Sequence, residues 1–124
     1  NRVLTSNGGN GAIAEANLLF NGSTLNISGD VNANSFAENS LRKLKENITL
    51  YEKSALKIVN NLDIVTFDKI NGPNNKIGII ADDNATDIEF LTEDQQAVDL
   101  YKTIFIQAKA IQELTARIKK LENN

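Results

Sequence analysis

The chain has 124 residues, which suits one small domain or a domain with a short extension, and carries a net charge of -3. It contains no histidine, cysteine, methionine or tryptophan, which excludes disulfides, thiol or histidine catalysis and the usual zinc ligand sets, so we expect no metal and no cofactor. The acidic balance disfavours a nucleic-acid partner, and no apolar run approaches the roughly 20 residues of a membrane span.

Residues 1–39 are rich in asparagine, glycine and serine and contain no lysine. An apolar run at 18–20 leads into an Asn-Gly turn at 21–22, and apolar residues then alternate with polar ones over 24–28 at the strand period of two. A second alternation follows over 31–35. Strands this short cannot enclose a core in one chain, so we expect several copies to wind around a shared axis, as at the end of a β-rich fibre.

Residues 40–124 are more highly charged and have helix-like spacing. A helix is predicted over 52–61, and two strands over 64–70 and 77–81 flank a turn of asparagine, glycine and proline at 71–75. The acidic stretch 82–96 predicts a loop. Within it, the apolar pair Phe90-Leu91 is expected to add an edge strand or to cover the sheet.

The last predicted element is a long helix over 101–122. It carries an apolar stripe with the spacing of a short coiled coil: Ile104, Ala108, Ile111, Leu114, Ile118 and Leu121. The seam predicted for the coiled coil consists of Ile104, Gln107, Ile111, Leu114, Ile118 and Leu121. With Ile104 at heptad position a, Gln107 falls at d, where a buried polar residue can fix register and oligomer state. The alternative is a helix that packs on its own domain. The fold class expected is α+β: a β-strand fibre end, then a small mixed domain with a strand pair and a long C-terminal helix.

Residues 40–48, with the sequence SLRKLKENI, place a serine hydroxyl five residues ahead of a lysine amine. This segment resembles the self-cleavage motif of the C-terminal intramolecular chaperone domains of phage tail fibres and tailspikes, the endosialidase type, which runs roughly Ser-Asp-x-Arg-Leu-Lys-x-Asn-Ile. The residues in register are Ser40, Leu44, Lys45, Asn47 and Ile48. Similarity continues at 65–68, 77–81 and 98–101, so it covers most of residues 40–124.

The resemblance implies that the Asn39–Ser40 peptide bond is cut by a serine-lysine dyad, with Ser40 as nucleophile and Lys45 as general base. Residues 1–39 would then be the end of a fibre shaft, and residues 40–124 a chaperone domain that trimerises and is released. It also implies a homotrimer whose partner is the upstream fibre segment of the same chain. The precursor would be made in the host cytoplasm as part of a virion tail fibre. The stripe's Ile and Leu pattern by itself favours dimers.

Chemistry limits what such a dyad can do, because roughly one lysine in two thousand is neutral at pH 7 with an ordinary pKa of about 10.4. A lysine base therefore requires burial or cationic neighbours, and Leu41, Arg42, Lys43 and Leu44 are the candidates to supply them. Leu41 and Lys43 depart from the aspartate and arginine usual in the family, and Asp82 replaces a common glutamine, which leaves their roles open.

Two other readings stay open at this point. In one, the serine and lysine are inert, with the serine capping a helix, and the domain is a permanent trimerisation foot. In the other, the domain is a receptor-binding tip whose acidic loop at 82–94 contacts a ligand.

Overall fold

The computed structural model describes residues 2–83 and 85–124, in two compact units that divide between Ile48 and Thr49. Asn1 and Asn84, which belong to the predicted fibre end and the predicted acidic loop, lie outside the described residues. The architecture comprises two small antiparallel sheets and a long C-terminal helix, which confirms the mixed α+β class. Over the described residues, no helix is long and apolar enough to cross a membrane.

The first unit contains an antiparallel sheet of three strands in the order β1-β2-β3. Its strands are β1 (Arg2–Ser6), β2 (Ala12–Phe20) and β3 (Leu25–Ile27). The predicted hairpin is confirmed, because Leu18 pairs with Ile27 and Phe20 pairs with Leu25. Strand β1 was not predicted from the sequence. It pairs with the first half of β2, and a register shift between Arg2 and Leu4 accommodates the pairing.

The turn between β2 and β3 is fixed by one asparagine side chain. Asn21 Oδ1 accepts hydrogen bonds from the backbone N–H groups of Ser23, at 3.0 Å, and Thr24, at 2.8 Å. Gly22 follows with φ of +102°, a conformation that a side chain at Cβ would strain. The Asn-Gly pair therefore ends β2 and sets the register of the hairpin.

Residues 31–35, expected to continue as a strand, form none. A strand requires a neighbour for its backbone hydrogen bonds, and within the described part of one copy this stretch has no strand beside it. Its flanks are open to solvent, with Val31 51% and Phe36 70% exposed. No described residue of the first unit is buried, so this sheet has no core of its own in a single copy.

The second unit contains two helices and a strand pair. Its elements are α1 (Ala55–Asn60), β4 (Val65–Phe67), β5 (Lys76–Gly78) and α2 (Leu100–Glu122). All four were predicted, but α1, β4 and β5 are shorter than their patterns indicated. Ser54 begins α1 late because its Oγ accepts from the N–H of Lys57 at 3.4 Å. The strands end early because Lys69 N–H already donates to Pro73 C=O in the turn.

The core of this unit lies where α1, α2 and a short 3-10 helix (Ile88–Phe90) meet. It is formed by Ala55, Leu56, Phe90, Ile106 and Ala110. Phe90 is fully buried there. The expectation that Phe90 and Leu91 add an edge strand was therefore wrong for Phe90. Leu91 makes only an isolated bridge with Val98.

One carboxylate ties the two helices together. Glu113 Oε2, on α2, accepts a hydrogen bond of 2.5 Å from the backbone N–H of Leu56 in the first turn of α1. The first N–H groups of a helix have no partner inside the helix and carry partial positive charge, so an acidic acceptor there is stabilising. Glu113 thus fixes where α1 sits along α2.

We expect Phe90→Ala to lower the free energy of unfolding of the second unit by about 3–5 kcal/mol, because it removes the largest fully buried side chain from a small core. Phe105→Ala is the matched control, since Phe105 lies on α2 but is 65% exposed, and should change stability by about 0.5 kcal/mol or less. Urea unfolding followed by helical circular dichroism at one protein concentration measures both. Equal losses would show that Phe90 does not organise the core.

Candidate functional site

A single tight turn holds the backbone of residues 40–45. Leu41 is extended, with φ of -71° and ψ of 143°, and leads into a 3-10 helix at Arg42–Leu44. The N–H of Leu44 donates to Leu41 C=O, and the N–H of Lys45 donates to Arg42 C=O, each at 3.0 Å. The turn reverses the chain, so the side chains that flank it at 40 and 45 come together.

Ser40 and Lys45 are in direct contact. Lys45 Nζ donates a hydrogen bond to Ser40 Oγ at 2.5 Å, within one chain. The geometry thus brings together the two residues predicted as nucleophile and base. A charged ammonium can only donate, so the contact becomes a base and nucleophile pair once the amine has lost a proton. Ser40 does not cap the turn, because Leu41 occupies the cap position and no side chain makes a capping bond.

The surroundings of the pair are open in a single copy. Leu41 is 60% and Leu44 59% exposed, and the Ser40 and Lys45 side chains are exposed as well. The apolar wall expected from the two leucines is therefore not closed around the amine. The backbone N–H groups of Leu44 and Lys45 already donate hydrogen bonds to carbonyl groups inside the turn.

Beyond the turn, Asn47 adopts a left-handed conformation with φ of +53°. Asparagine tolerates this region better than most residues, because its short polar side chain can bond locally. The bend falls one residue before Ile48, the last residue of the first unit. Asn47 therefore redirects the chain as it leaves the segment that contains the pair.

Within the second unit, Glu89 binds two residues near its start, Tyr51 and Lys53, an arrangement that the sequence did not reveal. Tyr51 Oη donates to Glu89 Oε2 at 3.4 Å, and Lys53 forms an ion pair with Glu89 Oε1. Burial, together with the negative charge of Glu89, raises the pKa of the Tyr51 phenol. The hydrogen bond to Glu89 and the charge of that carboxylate raise the pKa of Lys53. No periodic pattern in the sequence relates Lys53 to Glu89, because these residues lie 36 positions apart.

The six residues of the predicted seam all lie along α2 and are exposed. Among them, Ile111 is 63% and Leu121 72% exposed, whereas Ile106 and Ala110 on another face are buried in the core. The helix thus packs on its own domain and still presents the apolar stripe to solvent. The two alternatives considered for this helix are compatible, and the coiled coil stays a prediction.

Other candidate sites are few. Among the residues that the structure describes, no group of three acidic side chains is arranged to hold a metal ion. The second unit contains a cavity of about 450 Å³, and Lys53, Lys57 and Asp87 are among the residues that line it. Neither Ser40 nor Lys45 contributes to its walls.

Replacing Glu89 by glutamine should lower the pKa of Tyr51 back toward its ordinary value of about 10, since it removes the negative charge beside the phenol. A raised pKa in the folded state means that the associated stability is present below the ordinary pKa and is lost as the pH rises through the folded pKa. Ultraviolet titration of the tyrosinate measures this in a Tyr101→Phe background, which leaves one tyrosine. Glu93→Gln is the control, and an equal shift there would remove Glu89 as the cause.

Comparison with known proteins identifies one family. Residues 40–88 match the family described as chaperone of endosialidase, which carries the name Peptidase_S74, that of a serine peptidase family. The match starts at Ser40 and includes Lys45, α1, β4 and β5. The chain has no significant similarity to any curated protein or to any solved structure. Residues 40–88 are thus similar to the chaperone-of-endosialidase family, which confirms the resemblance inferred from the motif.

Proposed function

We propose that this chain is part of a homotrimeric viral tail fibre or tailspike, in which residues 40–124 act as an intramolecular chaperone and leave by self-cleavage before Ser40. The observation that carries the proposal is the contact of Lys45 Nζ with Ser40 Oγ, at 2.5 Å, at the start of the segment that matches the family. The precursor is made in the host cytoplasm, and its partners are two further copies and its own upstream segment.

The reaction is a single-turnover peptide hydrolysis on the chain itself. Lys45, in its neutral form, takes the proton from Ser40 Oγ, which attacks the carbonyl carbon of Asn39. The C–N bond of Asn39–Ser40 breaks, and the proton passes from Lys45 to the departing nitrogen of Ser40. The product is an ester between the Asn39 carbonyl and Ser40 Oγ. Water hydrolyses this ester, giving a carboxylate on Asn39 and restoring the hydroxyl of Ser40.

Assembly is what makes the lysine a base. In one copy, the apolar side chains that flank the turn, Leu41 and Leu44, are both more than half exposed. Packing of three copies around this turn would cover the leucines and remove water from the amine of Lys45. Desolvation disfavours a charged amine, so proton transfer becomes accessible only in the assembled state. Cleavage then occurs only after three chains have assembled.

The benefit to the fibre is kinetic. Pairing between strands of different chains requires the chain ends to meet before any contact is rewarded, and unpaired edges meanwhile invite aggregation. A helical domain folds from local contacts, trimerises first and raises the effective concentration of the attached strands. Its removal leaves a fibre that unfolds slowly and has lost the template for reassembly.

The alternative of a receptor-binding tip assigned the acidic loop at 82–94 to a ligand. The carboxylates of three residues in this loop already accept hydrogen bonds within the chain: Asp87 from Glu89 N–H, Glu89 from Lys53 and Asp94 from Thr92. These carboxylates are therefore committed to the loop's own structure, which favours the chaperone. A permanent trimerisation foot remains the alternative that cleavage assays distinguish.

The full chain should yield a fragment that begins at Ser40, whereas Ser40→Ala and Lys45→Ala should cleave at least about 100-fold more slowly, because a general base contributes 10²–10⁴-fold. Ser35→Ala and Lys76→Ala are matched controls that change the same residue types at exposed positions outside the segment 40–48, and should cleave normally. Intact mass and N-terminal sequencing identify the products, and hydroxylamine should trap the ester as a hydroxamate on Asn39. A stable full-length chain under conditions where it is trimeric would rule out self-cleavage.

Cleavage should also depend on assembly. Ile118→Asp places a charge in the seam, and we expect it to abolish the trimer and to slow cleavage by at least about tenfold. Ala116→Asp introduces the same side chain two residues away at an outward position, and should preserve both properties. Sedimentation equilibrium and fragment mass measure the two effects on the same samples. Normal cleavage by a monomeric Ile118→Asp chain would contradict the coupling.

A further inference from the structure

Four asparagines of this chain stand directly before a glycine, all of them in loops or turns between strands. They are Asn7, Asn10, Asn21 and Asn71. An asparagine before glycine can lose its side-chain amide without an enzyme, because glycine has no Cβ to hinder attack by its backbone nitrogen on the asparagine Cγ. The four sites share this reactivity by sequence, so local structure decides which of them is free to react.

The reaction places two demands on the residues around such a pair. The attacking N–H of the glycine must turn away from any acceptor to which it already donates, which costs that hydrogen bond. The asparagine side chain must rotate until Cγ faces that nitrogen, so an Oδ1 that accepts backbone hydrogen bonds is held back. A site is therefore free when neither group is engaged.

The two turns that close hairpins are both held by hydrogen bonds. Asn21 Oδ1 accepts from two backbone N–H groups of its own turn, at 3.0 and 2.8 Å. After Asn71, the N–H of Gly72 donates to Lys69 C=O at 3.0 Å. Each site must break at least one of these bonds before it can react.

Asn7, at the start of the loop between β1 and β2, is held at both groups. The N–H of Gly8 donates to Ser6 Oγ at 3.2 Å. Asn7 Oδ1 accepts from the N–H of Gly9 at 3.0 Å. Neither the side chain nor the attacking nitrogen of this site can move without losing a hydrogen bond.

Asn10, at the end of the same loop, differs from the other three. In the part of the chain that the structure describes, no hydrogen bond engages the Asn10 side chain or the N–H of Gly11. Gly11 takes part in the loop through its carbonyl group, which accepts from Asn7 N–H at 3.4 Å. Residues 7–11 are all exposed, so water reaches the site.

We infer that Asn10 is the site at which the folded chain deamidates first, without an enzyme. The nitrogen of Gly11 forms a bond to Cγ of Asn10, and its proton leaves with the side-chain nitrogen as ammonia. This closes a succinimide ring. Water then opens the ring at one of its two carbonyl carbons, giving either aspartate or isoaspartate. One water is consumed and one ammonia is released, so the reaction requires no other reactant.

The modification changes the loop in two ways. Both products add a negative charge, and isoaspartate also inserts a methylene group into the backbone between β1 and β2. The change lies close to the pairing of Ser6 with Ala12, which closes this hairpin. The inference does not depend on the proposed function. In the proposed function, however, residues 1–39 stay with the fibre, so the modification would accumulate in the part that persists.

Peptide mapping after timed incubation tests the inference on the folded full chain. Cleavage after glutamate separates residues 1–15, which contain Asn7 and Asn10, from residues 16–38, which contain Asn21. Fragmentation in the mass spectrometer assigns the mass change to one asparagine and distinguishes isoaspartate from aspartate. Asn10 should convert at least about threefold faster than the other three, the ratio that one exposed hydrogen bond gives.

The chain unfolded in guanidinium chloride is the control for sequence, because it keeps the four dipeptides and removes the hydrogen bonds. There the four sites should react at similar rates. Asn10→Gln should remove the early product of the folded chain, since attack on a glutamine closes a larger ring much more slowly. Asn71→Gln makes the same change before another glycine and should leave the early product unchanged.

Equal rates at the four sites of the folded chain, or an earlier product at Asn21 or Asn71, would overturn the inference. A folded chain that keeps Asn10 intact while the unfolded chain converts would overturn it as well. An early product confined to Asn10, together with similar rates in the unfolded chain, supports it. Self-cleavage before Ser40 does not interfere, because Asn10 is measured in a peptide that ends at Glu15.

Discussion

A single copy of this chain cannot bury its own apolar residues, and every other feature follows from this constraint. Among the described residues, extensive burial is confined to the small core around Phe90, where two helices and a 3-10 turn meet. The sheet of the first unit has no buried residue among those described, and the stripe along α2 faces solvent. Exposed apolar surface of this extent, with strand and heptad periods, is what the proposed trimer would cover.

Under the proposed self-cleavage, the same constraint explains how a chemically ordinary serine and lysine would be silent in one copy and reactive after assembly. The backbone turn at Arg42–Leu44 aligns Ser40 with Lys45 using only local hydrogen bonds, so the geometry is available before assembly. The proposed reaction also requires that water be excluded from the amine of Lys45, and local structure cannot supply this. Alignment that precedes desolvation lets a protein carry a self-cleaving bond safely until its partners arrive.

The sequence was informative wherever structure depends on neighbours along the chain. The hairpin at the Asn-Gly turn, the long helix α2 and the meeting of Ser40 with Lys45 all arise within one turn or one period. It was uninformative where a distant group decides the outcome. Phe90, expected to add an edge strand or to cover the sheet, packs in the helical core because tertiary packing overrode the local pattern. Ser54 shortened α1 by a local cap that the apolar spacing did not signal. The contact of Glu89 with Lys53 joins segments that no period relates.

Helices and strands differ in how they tolerate a slip in register, and this difference determines which of them can align the chains. A slip of one residue between strands turns every side chain to the opposite face, yet strands with asparagine and glycine on both faces do little to prevent it. A coiled coil cannot slip by one residue without losing its seam. It must move a whole heptad, about 10 Å, which in the proposed seam would set Gln107 against Leu114. A short helix can therefore hold a register that the strands attached to it cannot choose for themselves.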